Sequence, residues 1–142
     1  MSNTTGPYSR FQLKQYIEQT QNDLFADRQL RLMIENGNRQ VVGIVDLCSF
    51  DPLHNRAEVG IMVDKSCRRQ GIGRNALALL EEHCFRYLGI HQLFAYIAVE
   101  NLPSRRLFAA CGYKESAVLK EWAHTFGGGY TDVLVVQKLN LS

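Results

Sequence analysis

From Leu30 to Val63 apolar residues largely alternate with polar ones, from Ile72 to Leu88 they return every three or four positions, and after His91 alternation resumes. The two periods separate strand from helix, because strand side chains repeat every second residue and helix side chains about every 3.6. Leu30, Leu32 and Ile34 in "RQLRLMIE" predict a strand. "ENGN" predicts a hairpin turn, with Asn36-Gly37 suited to positive φ. "RQVVGIVDLCSF" predicts the next strand, "DPLHN" another turn, and "RAEVGIMVD" a third strand, so the pattern begins as an antiparallel meander.

Ile72, Ala76, Leu77, Leu80, Cys84, Phe85 and Leu88 then predict a helix that ends near Gly89. "HQLFAYIAV" predicts a strand. "NLPSRRLFAAC" predicts a short helix, with Asn101 or Leu102 near its start and Gly112 after its end. Two further strands, around "YKESAVLKEW" and "YTDVLVVQKL", flank a loop holding Gly127, Gly128 and Gly129. Ahead of the meander, the spacing of Phe11, Leu13, Tyr16 and Ile17 predicts a helix over residues 10–23 capped by Ser9, and residues 1–9 read as a loose segment. The strand–helix–strand crossover implies one parallel pair among antiparallel ones. The expected fold is a single α+β (mixed α/β) domain over residues 1–142, with a mixed, mostly antiparallel sheet flanked by helices.

Composition narrows the function. With 142 residues the chain can bury a core without disulfides or metals, and its net charge of +2 argues against both disorder and nucleic acid as main partner. Cys48, Cys67, Cys84 and Cys111 form no C-x-x-C pair, which argues against a zinc ribbon or thioredoxin-type site and fits reduced thiols. His54, His83, His91 and His124 form no H-E-x-x-H pair, and no metal is expected. No signal-like segment opens the chain, and no run reaches the ~18 apolar residues that span a bilayer, so the expected location is the cytoplasm, with no membrane partner.

The chemistry concentrates in "VDKSCRRQGIGRNALALLEEH". Gly71 and Gly73 let the backbone come close to a ligand, and the amides at a helix start carry the positive end of the dipole. A diphosphate fits there, with Arg68, Arg69 and Arg74 as forked donors around it. Gly71, Gly73 and Ala76 also satisfy the dinucleotide pattern G-x-G-x-x-[G/A]. Against that reading, "DKSCRRQ" separates strand from glycine, and a chain this short has no room for two mononucleotide halves.

"RRQGIG" resembles the R/Q-x-x-G-x-G/A signature of the GNAT family of N-acetyltransferases, and "VENLPSRRLFAACGY" is similar to that family's second segment, Asn-x-x-[Ala/Ser] followed by an aromatic and Gly-[Phe/Tyr]. Within the family the chain looks most like the branch holding spermidine N-acetyltransferases and the acetyltransferases of ribosomal-protein N-termini. The resemblance implies acetyl-CoA as co-substrate and a primary amine as acceptor, a polyamine or a protein N-terminus. It implies that amides of Arg68, Arg69, Gln70, Gly71, Ile72, Gly73 and Arg74 hold the diphosphate. It implies that the edge of Ile61, Met62 and Val63 pairs with the pantetheine arm, and that the fourth and fifth strands splay to admit the thioester. Asn101 and Ser104 match cofactor-contacting positions, as does Phe108, which stands where many members have the tyrosine that protonates the departing thiolate. Tyr113 and Tyr96 are the substitutes considered for that proton. The family's first strand looks absent from this chain, and a homo-oligomer, a dimer, is expected.

Acetylation needs a neutral amine, and a primary amine with a pKa of about 10.4 is almost wholly protonated at neutral pH. Glu58 is the candidate general base, since the family often carries a glutamate there and Glu58 shares a strand face with Gly60 and Met62. A solvated carboxylate paired with Arg56 is its alternative. A backbone amide at Met62 is the candidate oxyanion donor. Direct attack needs no acyl-enzyme, so Cys67 and Cys111 have no nucleophilic part. Asp46, Asp51 and His54 are candidate substrate contacts, and Trp122 with Tyr130 across the glycine loop are candidate borders of the acceptor pocket, with ordinary sheet packing as their alternative. A non-catalytic acyl-CoA-binding protein on the same fold is the second hypothesis.

Overall fold

The computed structural model describes residues 12–15, 24–68 and 71–141. Its sheet has the strand order β1-β2-β3-β4-β5-β7-β6. The strands are β1 (Gln12–Gln15), β2 (Leu30–Glu35), β3 (Val41–Asp51), β4 (Arg56–Val63), β5 (Gln92–Ala98), β6 (Lys114–His124) and β7 (Tyr130–Leu139). The helices are α1 (Leu24–Asp27), α2 (Ile72–Glu82) and α3 (Leu102–Ala110). β1 to β4 form the expected antiparallel meander. Among the described residues β4 and β5 are the one parallel pair, and β7 pairs antiparallel with both β5 and β6.

Two expectations change at the start of the chain. Gln12–Gln15 pair in register with Leu32–Glu35 as a strand, where helical spacing predicts part of a helix over residues 10–23. The outer edge of β2 has unpaired N–H and C=O groups, and supplying them with partners outweighs a weak helical pattern. The first strand that the sequence reading lacks is therefore present; the rest of that helix lies outside the described residues. At the first hairpin the left-handed residue is Arg39, with φ 62°, and not Asn36 or Gly37. Asn36 instead closes the turn with its side chain, Oδ1 accepting from the amides of Asn38 and Gln40 at 2.9 and 3.0 Å.

Alternation decides the core. Ala57 and Val59 of β4, Leu93, Ala95 and Ile97 of β5, and Val45 and Leu47 of β3 point to one face, where they meet Leu77, Leu80 and Cys84 after the α2 start and Phe108 of α3. α2 continues as a π turn over His83–Tyr87 and stops at Gly89, whose φ of 66° suits a residue without Cβ. α3 starts on Asn101, whose Oδ1 accepts from the Ser104 amide at 3.2 Å. Among the described residues no helix is long and apolar enough to cross a membrane.

Candidate active site

The parallel ladder between β4 and β5 has three rungs, Arg56↔Gln92, Ala57↔Leu93 and Glu58↔Phe94, and then the strands part. β4 runs on to Val63 and β5 to Ala98, so a gap opens beyond Glu58. The splay expected of the fourth and fifth strands is thus present. On the face away from the core the gap is flanked by Glu58, Gly60 and Met62 on one side and by Phe94 and Tyr96 on the other. A Cβ built on Gly60 would meet nothing within 4 Å, so this wall leaves room at its middle.

Glu58 is half-buried at the last rung. Ser49 Oγ donates to its Oε1 at 3.4 Å. Arg56, its expected alternative partner, lies instead 3.8 Å from Asp51. Cys48 sits across the β3–β4 register from Glu58, and burial together with the Glu58 charge pushes its thiol up to about 11.

The direction of the β4 amides follows from one bond. Asp64 N–H donates to Val42 C=O at 2.9 Å. Antiparallel pairing alternates, so the amides of Met62 and Gly60 also turn toward β3, and those of Ile61 and Val63 turn toward the gap. The Met62 amide is therefore not placed as an oxyanion donor, a correction that the parity of the β3–β4 ladder requires. Ile61 and Val63 supply free-edge amides instead. Arg68 Nε donates to Val63 C=O at 3.1 Å, holding the loop against the end of that edge.

The glycine-arginine loop divides into parts. Lys65–Cys67 make a single 3₁₀ turn, and the amides of Cys67 and Arg68 are satisfied by Asp64 C=O at 2.9 Å and Lys65 C=O at 3.3 Å. These amides are closed to a ligand. Arg69 and Gln70 lie outside the described residues. Gly71 is the N-cap of α2 with φ 76°, a left-handed value that favours glycine, and it brings no side-chain acceptor. The first-turn amides of Ile72, Gly73 and Arg74 consequently have no intrahelical acceptor and carry the positive helix end. The Asn75 amide already bonds to Gly71 C=O at 3.0 Å. A Cβ at Gly73 would stand 3.2 Å from Leu107 Cδ2 and 3.8 Å from Ile61 Cδ1. Gly73 thus seats α2 against α3 and β4, which differs from the ligand approach expected of it.

The remaining candidates fall in different places. Phe108 is 3% exposed and stacks edge-on to Tyr113 with ring centroids 4.9 Å apart, so it belongs to the core. The Tyr113 hydroxyl is buried, faces Glu81 and has its pKa pushed up by burial and then by the Glu81 charge. Asn101 uses its side-chain oxygen to cap α3 beside Ser104. Asp46 accepts two bonds from Arg31, at 2.8 and 3.2 Å. Asp51 accepts from the amides of Leu53 and His54, and the His54 bond is the main cause of its lowered pKa. His54 stays exposed in that turn. Sequence reasoning missed Phe94, which only the parallel register brings beside Glu58.

A diphosphate carrier with an amide-bearing arm fits this arrangement in two respects: a positive helix start stands at the end of β4, and among the described residues the β4 edge beyond Glu58 has no ladder partner. Among the described residues no group of three or more His, Cys, Asp or Glu stands together to hold a metal.

Likeness to known proteins places the chain in a family. Residues 1–114 match a family model described as an acetyltransferase (GNAT) domain. The chain is 27% identical over 128 residues to spermidine N(1)-acetyltransferase of Vibrio cholerae, covering 89% of this chain and 72% of that protein. It is 34% identical over 102 residues to a putative phosphinothricin acetyltransferase, YwnH, of Bacillus subtilis, covering 68% and 59%. A solved mutant of the V. cholerae spermidine N-acetyltransferase superposes with TM-score 0.75 at 26% identity, over 79% of this chain and 64% of that one. A dodecameric structure of the same V. cholerae enzyme superposes with TM-score 0.76 at 25% identity, over 82% and 68%. The chain thus spans about two thirds of these relatives.

Proposed function

This chain belongs to the GNAT family and is an N-acetyltransferase by that membership, and on that premise we propose that it moves an acetyl group from acetyl-CoA directly to a primary amine, the class that includes the polyamines and protein N-termini expected from sequence. The observation that carries the reading is the parting of β4 from β5 immediately beyond Glu58, with the α2 start at the far end of the same edge.

When bound, acetyl-CoA supplies a thioester carbonyl open to attack. The chain does the rest. First-turn amides of α2 and the Arg74 side chain neutralise the diphosphate. The edge from Val59 to Val63 receives the amide-bearing arm as a strand would. Glu58 accepts the ammonium proton, directly or through a water, and Ser49 Oγ steadies its carboxylate. An edge amide of Ile61 or Val63 faces the developing oxyanion. Both walls of the gap hold the reactants together, which supplies much of the rate. Phe108 has no proton to give, and a thiol pKa of about 8.5 lets sulfur leave as an anion near neutral pH. Tyr96 borders the gap on β5, whereas Tyr113 is turned into the core.

The test is release of free CoA thiol from acetyl-CoA in the presence of spermidine, spermine, lysine and short peptides. A second reading, a non-catalytic acyl-CoA-binding protein on the same fold, draws on the buried Phe108. It predicts that acetyl-CoA raises the melting temperature while no amine releases thiol. A single cytoplasmic domain and a homo-oligomer complete the proposal; the dodecameric V. cholerae relative favours an assembly larger than the dimer expected from sequence.

A further inference from the structure

The acceptor side of the gap has an unusual composition. Glu58 and Phe94 are register partners, and the Phe94 and Tyr96 rings meet edge-on with centroids 5.8 Å apart. Tyr96 in turn stacks on Trp122 of β6 at 6.5 Å, with 21° between planes. A row of three aromatic rings therefore starts beside the carboxylate and runs across β5 toward β6. Tyr96 and Trp122 remain 45% and 60% exposed, so the row forms a wall open to a ligand. Facing it across the gap stand Gly60, with open space where a Cβ would be, and Met62, 71% exposed.

Charge on this face is scarce. Asp46 is held by the Arg31 fork, and Asp51 is spent on its own turn. Among the described residues Glu58 has no cationic partner. Asp46, opposite Gly60 on the same face, is already neutralised by Arg31, so a ligand with several ammonium groups would find Glu58 as its one carboxylate without a cationic partner among the described residues, and rings and a thioether along the walls of the gap.

Resting on the acetyl-transfer reading, we propose that the acceptor carries one ammonium nitrogen on an aromatic or otherwise apolar body, with nitrogen at Glu58 and body against the Tyr96–Trp122 pair. This preference runs opposite to the polyamine in the names of the V. cholerae relatives. Ring-on-ring and cation-on-ring contacts favour the fit, each worth a severalfold gain in affinity.

Trp122 is the only tryptophan in the chain, so its fluorescence reports on this wall independently of turnover. The experiment titrates phenethylamine and spermidine separately into the full chain with CoA present, and measures amine KM in wild type, Tyr96→Ala and Tyr96→Phe. The expected result is a Trp122 response to phenethylamine at about tenfold lower concentration than to spermidine. Tyr96→Ala should raise the phenethylamine KM about tenfold with the acetyl-CoA KM unchanged, and Tyr96→Phe should restore it. Tighter binding of spermidine, or a phenethylamine KM indifferent to Tyr96→Ala, overturns the proposal. Should Trp122 respond as expected while no amine releases CoA thiol, the amine site stands and acetyl transfer falls. Should spermidine release thiol while phenethylamine leaves Trp122 unmoved, acetyl transfer stands and the aromatic wall falls.

Discussion

Lys138 Nζ on β7 lies 2.6 Å from Glu81 Oε1 on α2 and 2.6 Å from the Cys111 carbonyl after α3. One ammonium group thereby ties the last strand to α2 and to the end of α3. Glu81 is 8% exposed, and its second oxygen is buried without a hydrogen-bond partner among the described residues. Removing the ammonium leaves a buried carboxylate with no counter-charge. Lys138→Met should therefore destabilise the fold by about 2–4 kcal/mol, read from the denaturant midpoint.

The same pair makes stability depend on pH. Burial raises the Glu81 pKa by more than Lys138 lowers it. Between the ordinary carboxylate value and the raised one, the folded chain holds more protons than the unfolded chain, so this group's contribution to stability falls as pH rises. Lys138→Met pushes that pKa further up, and the deficit of the variant should shrink as the solution is acidified toward the ordinary carboxylate range. Urea melts of both chains across mildly acidic pH test this; a deficit constant with pH would contradict it.

Gly71 opens α2 with φ 76°. Gly71→Ala places a Cβ in a left-handed conformation that costs roughly 1–2 kcal/mol. The expected outcome is a lower melting temperature and a several-fold higher KM for acetyl-CoA, with amine KM little changed. Steady-state kinetics on both substrates distinguish these effects.

The thiols should be spectators. Burial raises the Cys84 thiol to about 12 and the Cys48 thiol to about 11, with the charges of Glu81 and Glu58 adding to each. Neither forms thiolate near neutral pH, and iodoacetamide should leave both unmodified in the native chain. Cys67→Ser and Cys111→Ser should retain turnover, because direct attack leaves no acetyl group on the protein.

Much of this was legible because periodicity and packing agree. The spacing of Ile72, Ala76, Leu77 and Leu80 is a helix in sequence and a buried stripe in the structure. Gln12–Gln15 was not legible, since the period around Leu13 is too short to separate helix from strand and the decision belongs to the β2 edge. Glu58 entered as a candidate base through the family resemblance and the strand face it shares with Gly60 and Met62, whereas its place at the last rung beside Phe94 needed the parallel register. The orientation of the Met62 amide was not, because it depends on which β4 residues hydrogen-bond to β3. The aromatic wall escaped for a similar reason: Phe94 and Trp122 are far apart in sequence, and only the β5-β7-β6 order brings Trp122 onto Tyr96.

Mass spectrometry of an amine incubated with acetyl-CoA and the chain, wild type against Glu58→Gln, bears most directly on the proposed chemistry. The expectation is an amine that gains one acetyl group with wild type and gains it about a hundredfold more slowly with Glu58→Gln, while acetyl-CoA affinity holds. An amine left unmodified by wild type, or one acetylated equally fast by both, would contradict the role given to Glu58 beside the gap.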